Sequence, residues 1–404
     1  MIHVAVMGHG TVGSGVVEII DKNKKEVDAA SKDEVCVKYI LDLRDFPGDP
    51  HEDLLIKDYK IIVDDPEVDI VVEALGGIDL AYKYTKEALL NGKSVVTSNK
   101  AVVAEHGVEL LKIAKEKNCS YLFEASVGGG IPILRPLNTS FRAERIEGIT
   151  GILNGTTNFM LTKMDEEGCD YDDVLKEAQS KGYAEKNPEA DVCGYDACRK
   201  IAILTSLSMG KTVHYQNITT EGITNINKVD FEYAKKMGAS VKLLGLSRNL
   251  DGECMALVAP FMVSDKSPLY AVRGVFNAVM VRGNMLGDTL FYGQGAGKLA
   301  TASAIVSDIV DCSINKGKTI ECTWKDEEAV MADDSKKVFN YFIRVKKEAF
   351  DDLVKSVGIK EKVVVESVSD EIGFVSDRIS EDKFLKAKEI CSNSIINYIR
   401  ILDM

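Results

Sequence analysis

A glycine-rich turn stands near the start of the chain, between an apolar stretch and an amphipathic one. Residues Ile2–Met7 are mostly apolar and predict a short buried strand, and the residues after the turn are apolar at helical spacing. Glycines at such a turn let the backbone approach a pyrophosphate at the helix N-terminus. A tight turn without a ligand is the alternative, but the position between strand and helix favours a dinucleotide. The candidate cofactor-binding residues of this turn are Gly8, Gly10, Thr11, Val12 and Gly13.

The alternation of strand-like and helix-like patterns continues to about residue 130. Further apolar stretches of strand length are Val35–Leu41, Ile70–Gly77 and Ser94–Val96. This order predicts an α/β fold with a Rossmann-like, doubly wound parallel sheet. Ligands of such sheets bind beyond the carboxyl ends of the strands. Gly76 and Gly77, together with the segment that ends at Lys100, fall at these ends and are candidate site residues.

The residues after the second strand bear on the choice of cofactor. An acid at this position binds the ribose hydroxyls of NAD, whereas an arginine favours the phosphate of NADP. Asp42 and Arg44 are both present, so NAD and NADP remain alternatives, with Arg44 as a candidate contact. Asp42 also lies further from the glycines than the usual spacing of about 20 residues. We therefore expect a first helix longer than usual.

A polar stretch from Ala178 to Lys200 is followed at once by an apolar run. The pattern becomes helical near Asp191, which places Asp196 and Lys200 at i and i+4 on one helix face. Such a pair is most often a surface ion pair. However, the helix continues with apolar residues on most sides, and a lysine buried beside carboxylates is costly unless it is used. The spacing alone leaves a surface pair and a site lysine as alternatives.

The fixed positions of this stretch are Ala178-x3-Gly182-Tyr183-Ala184-x2-Asn187-Pro188-x2-Asp191-Val192-x-Gly194-x-Asp196-x3-Lys200, and they resemble the signature of homoserine dehydrogenases. The resemblance extends over about residues 2 to 312. It implies reversible reduction of L-aspartate 4-semialdehyde to L-homoserine with NADP or NAD. Homodimers or homotetramers are the implied assemblies.

The resemblance also implies roles for individual residues. Lys200 would donate the proton to the substrate oxygen, and Lys100 would polarise that oxygen beside the nicotinamide. The implied substrate-binding residues are Glu185, Asp196, Asp191, Tyr183, Gly155 and Thr156. Further implied cofactor contacts are Lys100, Gly182 and Gly295.

A strand followed by a second glycine-rich turn spans Tyr121–Pro132. Such turns expose carbonyl oxygens, which suit a hard cation, although simple chain reversal between domains is the alternative. In homoserine dehydrogenases this segment holds a structural monovalent cation, usually sodium, mainly through backbone carbonyls. The matching metal-binding positions here are Glu124, Val127, Gly129 and Ile131.

We expect three domains. Residues 1–132, with a returning helix at about 296–320, would form the dinucleotide-binding domain, and residues 133–295 an α+β domain for substrate binding and dimerisation. Strand-like segments in the latter are Thr212–His214, Met255–Val263 and Val272–Val281.

Residues 335–404 predict a small βαββαβ module, including strands at Lys362–Val368 and Ile372–Arg378. The module resembles the ACT regulatory domain of many homoserine dehydrogenases, which implies threonine as an effector. Lys346-Lys347-Glu348 replaces the turn that commonly follows the first ACT strand. Effector binding and assembly alone are therefore alternatives for the module.

Composition excludes several classes of protein. The net charge of −13 argues against a nucleic-acid partner, and no apolar run is long enough for a membrane span. The N-terminus lacks the pattern of a secretion signal. Nine cysteines without CxxC pairs suit a reducing, cytoplasmic location.

Two rival functions are less well supported. An aspartate-semialdehyde dehydrogenase needs an activated thiolate, and neither Cys193 nor Cys119 has an evident activating histidine. A catalytically silent sensor on the same fold would not need both Lys100 and Lys200.

Overall fold

The computed structural model describes residues 1–403. The strands are β1 Ile2–Met7, β2 Val35–Leu41, β3 Leu55–Ile56, β4 Val68–Glu73, β5 Ser94–Thr97, β6 Tyr121–Leu122, β7 Ile146–Ile152, β8 Thr219–Thr220, β9 Ala239–Leu250, β10 Glu253–Ser264, β11 Phe276–Gly283, β12 Gly287–Gln294, β13 Val338–Lys346, β14 Glu361–Val363, β15 Glu371–Val375, β16 Ile379–Ser380 and β17 Ile395–Ile401. The α-helices are α1 Thr11–Lys22, α2 Lys24–Ser31, α3 Lys60–Val63, α4 Asp79–Leu90, α5 Lys100–Glu116, α6 Leu134–Thr139, α7 Gly155–Glu167, α8 Tyr171–Ser180, α9 Glu189–Val192, α10 Tyr195–Met209, α11 Lys228–Lys236, α12 Lys298–Ile314, α13 Phe350–Val357 and α14 Glu381–Ile390.

The chain forms two compact units. The first comprises residues 1–146, 202–215 and 291–329, and the second comprises residues 147–201, 216–290 and 330–404. Among residues 1–403 no helix is both long and apolar enough to cross a membrane.

A parallel sheet in the order β3-β2-β1-β4-β5-β6 forms the centre of the first unit. Its central strands are almost continuously apolar because helices cover both faces. Val4, Val72 and Val96 belong to one core cluster with residues of α1 and α12. The order of the strands confirms the predicted Rossmann-like sheet.

The distance between the glycine turn and Asp42 is accounted for by two helices rather than one. α1 ends at Lys22 and α2 begins at Lys24, so the helix is interrupted at Asn23. The expectation of a single long helix is therefore wrong. Helix α12 follows the glycine-rich segment 291–297 and packs on α1. Gly15 of α1 has no room for a side chain there, because a Cβ would lie 2.9 Å from the Lys298 carbonyl oxygen.

A mixed sheet dominates the second unit, and the C-terminal strands belong to it. The strand order runs β12-β11-β7-β9-β10-β17-β13-β15-β14. β10 and β17 are parallel, with Phe261 opposite Arg400. Phe261, Tyr341 and Phe384 share one core cluster. The C-terminal strands and helices therefore share both a sheet and a core with the rest of this unit.

The predicted βαββαβ order of the C-terminal segment is observed, with the short strand β16 in addition. Two predicted strands differ from the structure: Thr212–His214, outside this segment, is absent, and Lys362–Val368 is shortened. Thr212–His214 forms only an isolated bridge between Thr212 and Glu328. The strand predicted at Lys362–Val368 ends at Val363, because the next residue, Val364, is 60% exposed and has no core to join.

Candidate active site

The first glycine turn leaves space above the N-terminus of α1. A Cβ at Gly13 would lie 1.8 Å from the Gly8 carbonyl oxygen, and Gly8 has a φ of +97°, so both positions require glycine. At Gly10 the nearest atom to a Cβ would be Arg44 Nη2, at 3.9 Å. Gly10 is the N-cap residue of α1, so no N-cap side chain bonds to the amides at the start of the helix. Thr11 and Val12 begin the first turn. The open space at Gly10, at the N-terminus of α1, fits a pyrophosphate, so the residues present fit a dinucleotide.

Asp42 and Arg44 form an ion pair just after the end of β2. The Arg44 guanidinium donates to both Asp42 carboxylate oxygens, at 3.0 and 2.8 Å, and the Asp42 carboxylate also accepts the His9 amide at 2.8 Å. The Arg44 side chain lowers the pKa of Asp42 well below its usual range. Asp42 is thus held in place, whereas the Arg44 side chain is 64% exposed and can turn toward a ligand.

The ends of β4 and β5 carry a second part of the site. Gly76 and Gly77 follow β4 in open space, with a φ of +80° at Gly77. Lys100 is the first residue of α5 and is half-buried. Asn99 caps this helix by accepting the Val102 amide and donates its own side-chain amide to the Gly77 carbonyl oxygen at 2.8 Å.

The second unit carries Lys200 in a nearly buried polar cluster. Its ammonium donates to an Asp196 carboxylate oxygen and to the Leu153 carbonyl oxygen, both at 2.7 Å. Lys200 is 9% exposed. An ion pair this deeply placed is screened far less than a surface pair. The interpretation as a surface ion pair is therefore wrong.

Asn154 joins this cluster and was not identified from the sequence as a site residue. Its side-chain amide donates to Asp191 at 2.7 Å and to Asp196 at 3.0 Å, while its oxygen accepts the Thr157 amide and caps α7. The sequence signal was only that of a helix cap at the start of Asn-Gly-Thr-Thr-Asn.

The remaining predicted substrate residues lie at the start of α7 and after α8. The Thr156 hydroxyl donates to the Tyr183 carbonyl oxygen at 2.6 Å, which joins the two segments. Tyr183 is exposed and packs edge-on against Phe159. Glu185 is exposed, and its backbone oxygen accepts a hydrogen bond from Gln179. Gly155 has no room for a side chain, because a Cβ would lie 2.8 Å from the Val275 carbonyl oxygen.

Gly182 and Gly295 have local structural roles. Gly182 has a φ of +74° just after α8, a conformation that favours glycine at a helix C-terminus. Gly295 is buried, and its carbonyl oxygen would lie 2.5 Å from a Cβ at Gly129. The glycine-rich turn at Tyr121–Pro132 and the glycine-rich segment 291–297 are therefore in direct contact within the first unit.

The predicted cation segment contains Glu124, whose carboxylate is already in use. It accepts the amides of Ile133, Leu134 and Arg135 at 2.6, 2.9 and 2.6 Å, at the start of α6. Burial raises the pKa of Glu124 in spite of these hydrogen bonds. Residues 1–403 contain no cluster of three His, Cys, Asp or Glu side chains suited to a metal ion. Val127, Gly129 and Ile131, the other predicted ligands, can offer only backbone carbonyl oxygens.

Comparison with known proteins assigns the family. The sequence model described as homoserine dehydrogenase matches residues 132–310, and the one described as homoserine dehydrogenase, NAD binding domain, matches residues 8–124. The homoserine dehydrogenase of Bacillus subtilis is 43% identical over 313 residues, which is 76% of this chain and 72% of that protein. The chain belongs to the homoserine dehydrogenase family.

Solved structures agree with this assignment. A homoserine dehydrogenase from Thiobacillus denitrificans superposes with a TM-score of 0.92 at 33% identity, covering 100% of this chain and 98% of that one. A hyperthermophilic archaeal homoserine dehydrogenase in complex with NADPH has a TM-score of 0.65 at 29% identity and covers 78% of this chain and 98% of its own.

As a homoserine dehydrogenase, the chain is an NAD(P)-dependent oxidoreductase that interconverts L-homoserine and L-aspartate 4-semialdehyde. Both rival functions, the thioester-forming dehydrogenase and the silent sensor, are set aside by this assignment. Burial also raises the pKa of the Cys119 thiol to about 11, which makes it a poor nucleophile.

Proposed function

We propose that Lys100 and Lys200 act together on the substrate oxygen of this homoserine dehydrogenase. In the reducing direction the aldehyde oxygen becomes an alkoxide and takes a proton from the Lys200 ammonium, while Lys100 stabilises the developing charge. The dinucleotide, when bound, supplies the hydride. The observation that supports Lys200 most is its nearly buried ammonium, which is held by one carboxylate oxygen and one carbonyl oxygen.

The carboxylates of the second unit would hold the substrate ammonium. Glu185 is exposed and available, whereas Asp196 already accepts hydrogen bonds from Lys200 and Asn154. We infer that Glu185 binds the substrate ammonium directly and that Asp196 mainly orients Lys200. Asp191 supports Asp196 through Asn154, and Tyr183, Gly155 and Thr156 line the pocket.

Turnover of single variants tests the two lysines. Lys200→Ala should lower kcat by about two orders of magnitude or more, the usual scale of general acid–base catalysis, with cofactor affinity retained. Lys100→Ala should also lower kcat. Lys176→Ala, an exposed lysine paired with Asp173, serves as the control and should keep the full rate. Near-normal turnover of Lys200→Ala would reject its role.

Both NAD and NADP should serve as cofactors. The Asp42 carboxylate is occupied by Arg44, which weakens its interaction with the ribose hydroxyls of NAD, and the exposed Arg44 side chain can turn to the phosphate of NADP. Thr11, Val12 and the surrounding glycines would hold the pyrophosphate. Comparison of kcat/KM for the two cofactors measures the preference.

We further propose a structural sodium ion at the carbonyls of Glu124, Val127, Gly129 and Ile131. Consecutive left-handed glycines, Gly128 and Gly129, make the sharp turn that such a carbonyl ring needs. Replacement of sodium by choline in the buffer should lower Tm, and added sodium should restore it. An unchanged Tm over the whole titration would reject the site.

The proposal also covers the C-terminal module and the oligomeric state. An ACT-like module that shares a sheet with the substrate unit fits a homodimer or homotetramer with threonine as an effector. Rate measurements with and without threonine would test the effector.

The protein is proposed to be cytoplasmic. Its nine cysteines are all unbridged, which supports a reducing, cytoplasmic location.

A further inference from the structure

Glu73 is a fully buried carboxylate at the carboxyl end of β4. Its relative exposure is 0%, and its hydrogen bonds come from neutral groups: the Leu75 amide at 2.8 Å, the Thr97 hydroxyl at 2.6 Å and the Asn99 side chain. A buried acid without a cationic partner is costly, because burial disfavours its charged form. The proposed mechanism does not use Glu73, so its presence in the core calls for a separate explanation.

The hydrogen bonds of Glu73 lead directly to the segment that carries Lys100. The Thr97 oxygen, which donates to Glu73, also accepts the Asn99 amide at 2.8 Å. The Asn99 side chain then caps α5 and bonds the Gly77 carbonyl oxygen. Lys100 follows immediately as the first residue of that helix, and its own amide donates to the Ser98 carbonyl oxygen at 3.0 Å.

We propose that Glu73 is a positioning residue for Lys100. Through Thr97 and Asn99 it fixes the last turn of backbone before α5, so that the Lys100 side chain leaves the helix start in one direction. This inference rests on the proposed role of Lys100. A misplacement of about 1 Å at a reacting group can cost up to a hundredfold in rate, so a fixed anchor has a measurable effect.

The substitution Thr97→Val removes the hydrogen bond from the Thr97 hydroxyl to Glu73 without changing the size of the side chain. Thr97→Ser keeps the hydroxyl that donates to Glu73 and should therefore keep the turnover of the parent protein. Thr85→Val is the matched control, because Thr85 is equally buried and its hydroxyl has no hydrogen-bond partner among residues 1–403. We expect Thr97→Val, like Glu73→Gln, to lower kcat about tenfold, with Thr97→Ser and Thr85→Val close to the parent.

A double-mutant cycle with Lys100→Ala separates positioning from general damage to the fold. If Glu73 acts through Lys100, Glu73→Gln should change kcat by less than about twofold when Lys100 is already absent. An equal fold-change in both backgrounds would mean a purely structural role and would overturn the inference. Normal turnover of Lys100→Ala alone would instead refute the proposed function.

A readout independent of turnover covers the case in which Lys100→Ala has no measurable rate. Competitive labelling of the unliganded protein with acetic anhydride reports the reactivity of the Lys100 amine against that of exposed Lys176. We expect the ratio to change in Thr97→Val and Glu73→Gln but not in Thr97→Ser or Thr85→Val. An unchanged ratio in the first two variants would overturn the inference.

Discussion

The Lys200 ammonium lies 2.7 Å from a carboxylate oxygen of Asp196, one helical turn earlier in α10. Both side chains are buried, so the pair is a charge-assisted hydrogen bond shielded from solvent. Asn154 donates to the same Asp196 oxygen. The carboxylate therefore fixes the position of the Lys200 ammonium, the proposed proton donor.

Asp196→Asn should lower turnover while the protein stays folded. Asparagine keeps an oxygen that can accept from Lys200, but it removes the negative charge of the carboxylate. A charge-assisted hydrogen bond contributes about 1.5–3 kcal/mol, and much of this is lost. That free energy corresponds to about a tenfold decrease in kcat or more. Steady-state kinetics measure it, with exposed Asp173→Asn as the control. Parent-like kcat in Asp196→Asn would contradict the orienting role.

Asn154→Ala should weaken both substrate binding and stability. Loss of the cap on α7 costs about 1 kcal/mol. Loss of the amide between Asp191 and Asp196 also leaves two carboxylates without their shared donor, so KM for homoserine should rise. Asn227→Ala, which removes the cap of α11, is the control for stability alone. A similar KM increase in both variants would argue against a specific role for Asn154.

Arg44→Ala should shift cofactor preference toward NAD. It removes a phosphate donor and at the same time frees the Asp42 carboxylate for ribose hydroxyls. A hydrogen bond to a charged group is worth about 1.5–3 kcal/mol, so kcat/KM with NADP relative to NAD should fall about tenfold. Arg378→Ala, an exposed arginine paired with Asp403, should leave the ratio unchanged. An unchanged ratio in Arg44→Ala would exclude Arg44 from the phosphate site.

Lys242→Met should abolish a rise in stability at alkaline pH. Burial lowers the pKa of the Lys242 ammonium from its ordinary 10.5 to about 7. Between these values the unfolded chain binds more protons than the folded one, so the free energy of unfolding rises with pH by up to about 1.4 kcal/mol per unit. Below pH 7 both forms are protonated and this dependence ends.

Denaturant unfolding at several pH values from 7 to 10 measures this dependence. The difference in slope between the parent protein and Lys242→Met isolates the buried lysine from other titrating groups. Lys236→Met, at an exposed position of α11, should keep the parent slope. The same slope in all three proteins would show that Lys242 is charged in the folded state.

Local patterns in the sequence were sufficient for the first sheet and for the Lys200 pair. Strand–helix alternation depends on the period of apolar residues within each segment, and an i, i+4 pair meets wherever its helix forms. The same kind of argument failed at Lys362–Val368, where the β-branched residues fit a strand but only the first part finds a partner. Strand formation depends on that neighbour as well as on the residues themselves.

The sequence by itself determined the family signature, the glycine turns and the candidate lysines, because these are set by residue type at short spacing. Only the tertiary structure decided that Asn154 lies between Asp191 and Asp196, which are 37 and 42 residues further along the chain. It likewise decided that β17 joins β10 and that the Thr97 hydroxyl donates to Glu73. Such contacts depend on packing between distant segments, and no local periodicity encodes which of the many buried polar groups will meet.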